Sequence, residues 1–112
     1  MQVSVVCCTY DLTLFDEFCD AADSVLAQTH PAELVVLVDG TPSLAERVTA
    51  EYGSHENVLV HLNDENRGLL ESRNTGAKLT SGDIVAFIDD DARAESDWIS
   101  ELVEIYETTD AL

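Results

Sequence analysis

Lysine is almost missing from this chain. Lys78 is the only one, and 5 basic residues face 23 acidic ones, for a formal net charge of −18 over 112 residues. So thin a cationic footprint argues against binding nucleic acid or an anionic membrane, both of which need a basic face. Cysteine is scarce and odd in number: Cys7, Cys8 and Cys19 make no disulfide framework and fit a reducing compartment. Cys7 and Cys8 adjoin in a strand-like run and so point to opposite faces. His30, His55 and His61 stand at no ligand spacing from them, so zinc is not expected. The longest apolar runs, residues 5–8 and 34–38, fall far short of the roughly 20 residues that span a bilayer. The N-terminus shows neither a basic region nor a signal-peptide pattern. The expectation is a cytoplasmic domain, brought to the inner face of a membrane only by a partner or a further segment. Repeats, low-complexity tracts and linkers are absent too, so residues 1–112 read as one domain.

What is present is a core and a great deal of acid. A hydrophobic content of 46% is too high for disorder. The acids are spread along the chain rather than gathered in a tail, a distribution suited to a salt-rich cytoplasm. At about 1 M salt the Debye length is only ~3 Å, so self-repulsion is largely screened. A salt-adapted source is expected.

Apolar periodicity divides the chain. Residues 3–8 and 34–38 read as buried strands, 58–62 as a third and 84–88 as a fourth. Between them, Phe15, Phe18, Cys19, Ala22, Val25 and Leu26 recur at helical spacing, with Thr13 as a candidate cap and His30-Pro31 as a stop. Ser43-Leu44-Ala45-Glu46 reads as a capping box for a helix ending near Gly53. A third helix is expected over 67–79, with Asn66 as its cap and with Gly68 and Gly76 allowing close backbone approach. A last helix, capped by Ser96, points Trp98, Ile99, Leu102, Val103 and Tyr106 at the core.

Alternating β and α elements predict an α/β fold, a parallel sheet with right-handed crossovers and helices on both faces. Strand order 3-2-1-4 places the reversal between strands one and four, where a ligand crevice opens at their carboxyl ends. Those ends are Thr9-Tyr10-Asp11 and Asp89-Asp90-Asp91. Because residues i and i+2 of an extended chain face alike, Asp89 and Asp91 converge while Asp90 faces elsewhere. Two convergent carboxylates raise each other's pKa unless a cation compensates them. Mg²⁺ takes such a pair and completes its shell with water and ligand phosphates. The plainer alternative is a solvated acidic turn. Neither G-x-G-x-x-G after the first strand nor a P-loop motif occurs, against a dinucleotide or Walker site.

Several stretches, in order, resemble the inverting glycosyltransferase family 2 with its GT-A fold. They are VSVVCCTYD (3–11), SVLAQTHP (24–31), LVVLVDG (34–40) and NRGLLESRNTGAKLTSGDIVAFIDDDA (66–92). The resemblance implies a Rossmann-like GT-A half that binds a nucleoside-diphosphate sugar, UDP- or GDP-linked, through Mn²⁺ or Mg²⁺. Transfer would go with inversion to an acceptor glycan or lipid-linked sugar. It implies that Thr9 and Tyr10 line the base pocket and Asp39 bonds the base. Arg73 would reach the nucleotide or its diphosphate, Asp89 would lie near ribose or metal, and Asp91 would ligate the metal. With the charge, it implies a halophilic archaeal source. Three departures stand out: Cys8 replaces the family's proline, Asp39-Gly40-Thr41 replaces D-D-G-S, and the acceptor half with its general base is not expected within these residues. An unpaired edge at the fourth strand predicts self-association or a covering partner. Two other functions stay open, a catalytically incomplete nucleotide- or partner-binding domain and a Mg²⁺-dependent phosphoryl-transfer domain. The second would need Asp11 and Lys78 in its site.

Overall fold

Valine and leucine crowd the two central strands, and that crowding is what buries them. The computed structural model describes residues 1–109. Strands β1 (Val3–Thr9), β2 (Glu33–Asp39), β3 (Val58–Asn63) and β4 (Ile84–Asp89) form one parallel sheet in the order β3-β2-β1-β4. Helices α1 (Phe15–Leu26), α2 (Pro42–Tyr52), α3 (Leu69–Lys78) and α4 (Trp98–Thr109) alternate with them. The expected fold class and strand order are met.

Register fixes the two faces of the sheet. Val5 pairs with Leu34 and Ala86, and Val6 with Val35 and Phe87. One face therefore carries Val3, Val5, Cys7, Leu34, Val36, Val38, Ile84, Ala86 and Ile88, and α1, α2 and α4 pack on it. Phe18 meets Tyr52 edge-on, with ring centroids 5.9 Å apart, and Ile99 and Val103 bring α4 into the same core. The α1 face expected from periodicity is present, with Ala21 added. The other face has α3 alone. A Cβ on Gly76 would stand 2.5 Å from Val6 Cγ1, so glycine lets this helix lie close on the sheet. One helix cannot cover four strands. Leu59 on β3 and Val85 and Phe87 on β4 stay exposed, and both edge strands lack the double-sided burial of the central pair.

Helix starts depart from expectation, through a local side-chain bond in one case, a distant partner in another and a glycine turn in the third. Thr13 does not cap α1; Asp11 Oδ1 accepts from Thr13 N–H and Oγ1–H, closing a short 3-10 turn at Leu12–Leu14 ahead of the helix. The Ser43 capping box does not form. The chain enters α2 at Pro42, and Thr41 Oγ1 donates to Tyr10 O at 2.6 Å. Asn66 does not cap α3, which follows Gly68 instead. Gly68 itself has open space around it rather than a close backbone neighbour, but its φ of +88° is a conformation other residues rarely adopt.

Candidate functional site

The carboxyl ends of β1, β2 and β4 open into one cavity of about 580 Å³. Its walls bring together Thr9 and Tyr10 from the end of β1, Asp39 from β2, Arg73 from α3, and Asp89, Asp90 and Asp91 from the end of β4. Every residue singled out from the sequence lines it. Asp11 and Lys78 do not, and the Asp11 carboxylate is committed to Thr13, so the phosphoryl-transfer arrangement loses both its residues.

Asp39 is built in. It is only 6% exposed, and Asp39 and Asn63 are register partners at the ends of β2 and β3. Asn63 Nδ2 and the Arg67 N–H both donate to its Oδ1 at 2.9 Å, and the Gly68 N–H donates to Oδ2 at 2.9 Å. Burial pushes its pKa up, but the bonds from Asn63, Arg67 and Gly68 outweigh it and hold the carboxyl below its ordinary range. The unusual φ of Gly68 aims that N–H at the carboxylate. Asp39 therefore organises the 63–68 turn as well as facing the cavity. A carboxylate accepts about four hydrogen bonds, so three leave room for a ligand donor.

The aspartates after β4 are unlike it. Asp89 is exposed, and its Oδ1 meets Arg73 Nη2 at 3.2 Å. Arg73 also lies over the Phe87 ring, 5.7 Å from its centroid, so its alkyl stem and guanidinium are held at the cavity wall. Glu71, two residues before Arg73, is taken by Arg67 instead, at 3.4 Å. Asp91 sits exposed in the turn beyond the strand. Asp90 is half-buried and also lines the cavity, which the i, i+2 argument did not foresee. Burial raises its pKa, and the Asp91 and Asp89 charges push the same way. Thr9 Oγ1 lies close enough to ease that charge, yet it is buried and completes no hydrogen bond. Cys8 faces the cavity too, and burial pushes its thiol up to about 11 even with Arg73 pulling it down. It is a neutral wall, not a nucleophile.

Asp89, Asp90 and Asp91 set carboxylates along one wall, and a divalent cation can be held by one or two carboxylates with water and ligand phosphates completing its shell. Among the described residues, no three or more His, Cys, Asp or Glu form a self-sufficient cage. Tyr10 is 59% exposed and stands at the rim, which excludes a core-packing role. Trp98 packs against the core, as the plainer expectation had it.

Asn66, Ser72, Cys8 and Ile88 line the cavity without having been singled out for it. Ser72 carried a usable signal. Ser72 and Gly76 are small residues four apart, the buried positions by which α3 lies against the sheet.

Parallel order, a reversal at β1 and β4, and an acidic cavity at the strand ends define a Rossmann-like α/β domain of the GT-A type. The family model "Glycosyl transferase family 2" matches residues 4–112, and the chain belongs to that family. A relative from Haloferax volcanii, described as glucosyl-dolichyl phosphate glucuronosyltransferase, is 52% identical over 108 residues, covering 96% of this chain and 34% of the relative. That relative supports the salt-adapted archaeal source read from the charge. Glycosyltransferase GlyA of Streptococcus pneumoniae is 29% identical over 90% of this chain and 14% of its own length. The crystal structure of Staphylococcus aureus TarS 1–349 superposes with a TM-score of 0.83 at 22% identity, over 96% of this chain and 32% of that one. TarS has also been solved with UDP and with UDP-GlcNAc, each superposing at 0.82. The chain spans about a third or less of these relatives' length. No helix among the described residues is long and apolar enough to cross a membrane.

Proposed function

We propose that residues 1–112 form the donor-binding part of a glycosyltransferase, which holds a nucleoside-diphosphate sugar through Mn²⁺ or Mg²⁺. One observation carries the reading: a single cavity gathers a bonded aspartate, an arginine and three further aspartates at the strand carboxyl ends. In this reading Thr9 and Tyr10 border the base, and Asp39 accepts from it with its remaining lone pair. Arg73 leaves Asp89 to meet the ribose or diphosphate. Asp91, with Asp89, holds the cation. When bound, the cation neutralises the nucleoside diphosphate as it leaves the sugar. The TarS complexes favour uridine over guanosine, and the name of the Haloferax relative favours a lipid-linked sugar as acceptor. Transfer proceeds with inversion, on the cytoplasmic side, and the general base is supplied from outside the described residues. Among the described residues the cavity wall's carboxylates are all aspartates, and Asp39, Asp89 and Asp91 already have roles in this reading.

Thermal unfolding in molar KCl, with Mn²⁺ or Mg²⁺ and a panel of nucleoside diphosphates, tests this. Stabilisation that needs metal and one nucleotide together is expected. No shift with any nucleotide, in a folded protein, sinks the reading. The exposed Val85 and Phe87 beside the outer edge of β4 support self-association or a covering partner chain. A concentration-independent monomer in sedimentation would count against that.

A further inference from the structure

The segment that carries Asp91 belongs to no strand or helix. It turns immediately after β4, where the Ala92 N–H donates to Asp89 O at 3.1 Å, and regains regular structure only at Trp98. Its anchors come from one place, the C-terminal end of α1. Ser24 Oγ accepts from the Ala94 N–H at 3.0 Å. Gln28 Nε2 donates to Glu95 O at 2.6 Å and to Ser24 O at 3.0 Å. Gln28 Oε1 accepts from the Ile99 N–H at 2.9 Å. Just beyond, the Thr29 N–H donates to Ser96 O at 2.9 Å. Positions 94, 95, 96 and 99 are thus each held by the stretch SVLAQT, which otherwise has no part in the cavity.

The chemistry favours a primary amide at position 28. The Ile99 N–H is one of the donors that a helix leaves unpaired in its first turn, and Glu95 O, which already accepts from the Trp98 N–H, has a second lone pair to offer. Only a side chain with an acceptor and a donor on one head group satisfies both. A glutamate would keep the bond to Ile99, lose the donation to Glu95, and add charge beside Glu95, Asp97 and Glu101.

We propose that Gln28, assisted by Ser24, is a positioning residue for the donor site. By clamping residues 94–99 to α1, it fixes where the Asp91 carboxylate stands relative to Asp89. It touches neither cation nor nucleotide. This rests on the reading of the cavity as a metal-dependent nucleotide-sugar site.

The test compares wild type, Gln28→Met, which keeps the length of the side chain and deletes all three bonds, and Gln28→Glu. Two quantities are read in molar KCl: amide hydrogen exchange across residues 90–99, and calorimetric binding of UDP in the presence of Mn²⁺. In Gln28→Met the loop amides should exchange about tenfold faster while those of β1 and β2 keep their protection. The affinity for UDP with Mn²⁺ should fall about tenfold, with Gln28→Glu in between. Faster loop exchange with unchanged affinity would make the clamp merely structural and overturn the proposal. So would unchanged loop exchange, or a loss of protection spread evenly over β1 and β2. A wild type that binds no UDP with Mn²⁺ would instead sink the donor-site reading, and this proposal with it. If Gln28→Met fails to fold, Ser24→Ala, which removes the Ala94 bond together with the hydroxyl's donation to Ala21 O within α1, should show the same pattern, about threefold in each quantity.

Discussion

Asp39 and Asp91 stand at the carboxyl ends of strands that flank β1 on either side, on walls of one cavity, and they are opposites. Asp39 is buried, carries three hydrogen bonds and has its pKa pulled down. On the other side Asp89 and Asp91 are exposed and a single ion pair is held. The one buried hydroxyl without a partner among the described residues, that of Thr9, lies close to the half-buried Asp90, whose pKa is pushed up. The same side chain is finished without a ligand on one wall and unfinished on the other. The β2 wall is therefore a structural part that also faces the cavity, while the β4 wall carries carboxylates that the fold leaves largely uncompensated.

The largest effect should come from breaking the finished side. Asp39→Ala leaves the buried Asn63 amide with Ser72 Oγ alone and two part-buried backbone N–H groups without their acceptor. A loss of about 3 kcal/mol in urea unfolding is expected, since each buried donor left unpaired costs about 1–3 kcal/mol. The sign with pH follows from the lowered pKa. An acid whose folded pKa lies below its unfolded value contributes stability above that unfolded value, and the contribution is lost as pH falls through the folded one. Wild type should thus weaken below about pH 4, near the ordinary carboxylate pKa, and Asp39→Ala should show less of that acid sensitivity.

Next in size is Asp91→Ala. Without ligand its unfolding free energy should stay within about 0.5 kcal/mol of wild type, as for an exposed surface change. With Mn²⁺ and UDP at 100 times the wild-type Kd, it should forfeit about 2.7 kcal/mol of ligand stabilisation. A ligand-free loss as large as that of Asp39→Ala would erase the distinction between the two walls.

Gly68→Ala tests the device that aims a backbone N–H at Asp39. Forcing a Cβ into φ +88° and ψ 166° should cost about 2 kcal/mol in urea unfolding, all of it strain, since a Cβ there meets nothing. The smallest effect belongs to Asp90→Asn. A raised folded pKa means that Asp90 favours the folded state only below its unfolded pKa, and that this support is lost as pH rises through the folded one. At pH 7 the neutral amide should therefore stabilise the protein, by about 0.5 kcal/mol once solvent and salt screening are allowed for. That gain should vanish near pH 3. An Asp90→Asn variant less stable than wild type at pH 7 would remove the contrast between the walls.

Strand order, the helix faces and the strand-end residues Thr9, Tyr10, Asp39, Asp89 and Asp91 of the cavity were legible in the sequence, because each follows from a period or from a strand end. Arg73 was given only by the family resemblance. Val5, Val36 and Val38 sit in buried runs, and Phe18 and Val25 repeat at 3.6. The residues that could not be read are those whose partners lie far away in the chain. Thr41, Ser43 and Asn66 look like caps by local chemistry. Yet Thr41 Oγ1 reaches across to Tyr10, and Gly68 turns the chain where Asn66 was expected to hold it. Asp90 was assigned the wrong side because the strand ends at Asp89, and period-two alternation stops with it. Asp39 looked like a base contact alone. Its partner Asn63 becomes visible only once the β2–β3 register is known.

The sole tryptophan opens α4, its N–H bonded to Glu95 O at 3.1 Å, one residue before the Ile99 amide that Gln28 holds. Its indole packs against the core at the foot of the very segment that carries Asp91. Any loosening of that segment must change the polarity around this ring, so the chain carries an unlabelled fluorescence reporter where cation loading would be felt. A blue shift in its emission on adding Mn²⁺ with nucleotide, and none with either alone, would let the loading of this wall be followed in real time.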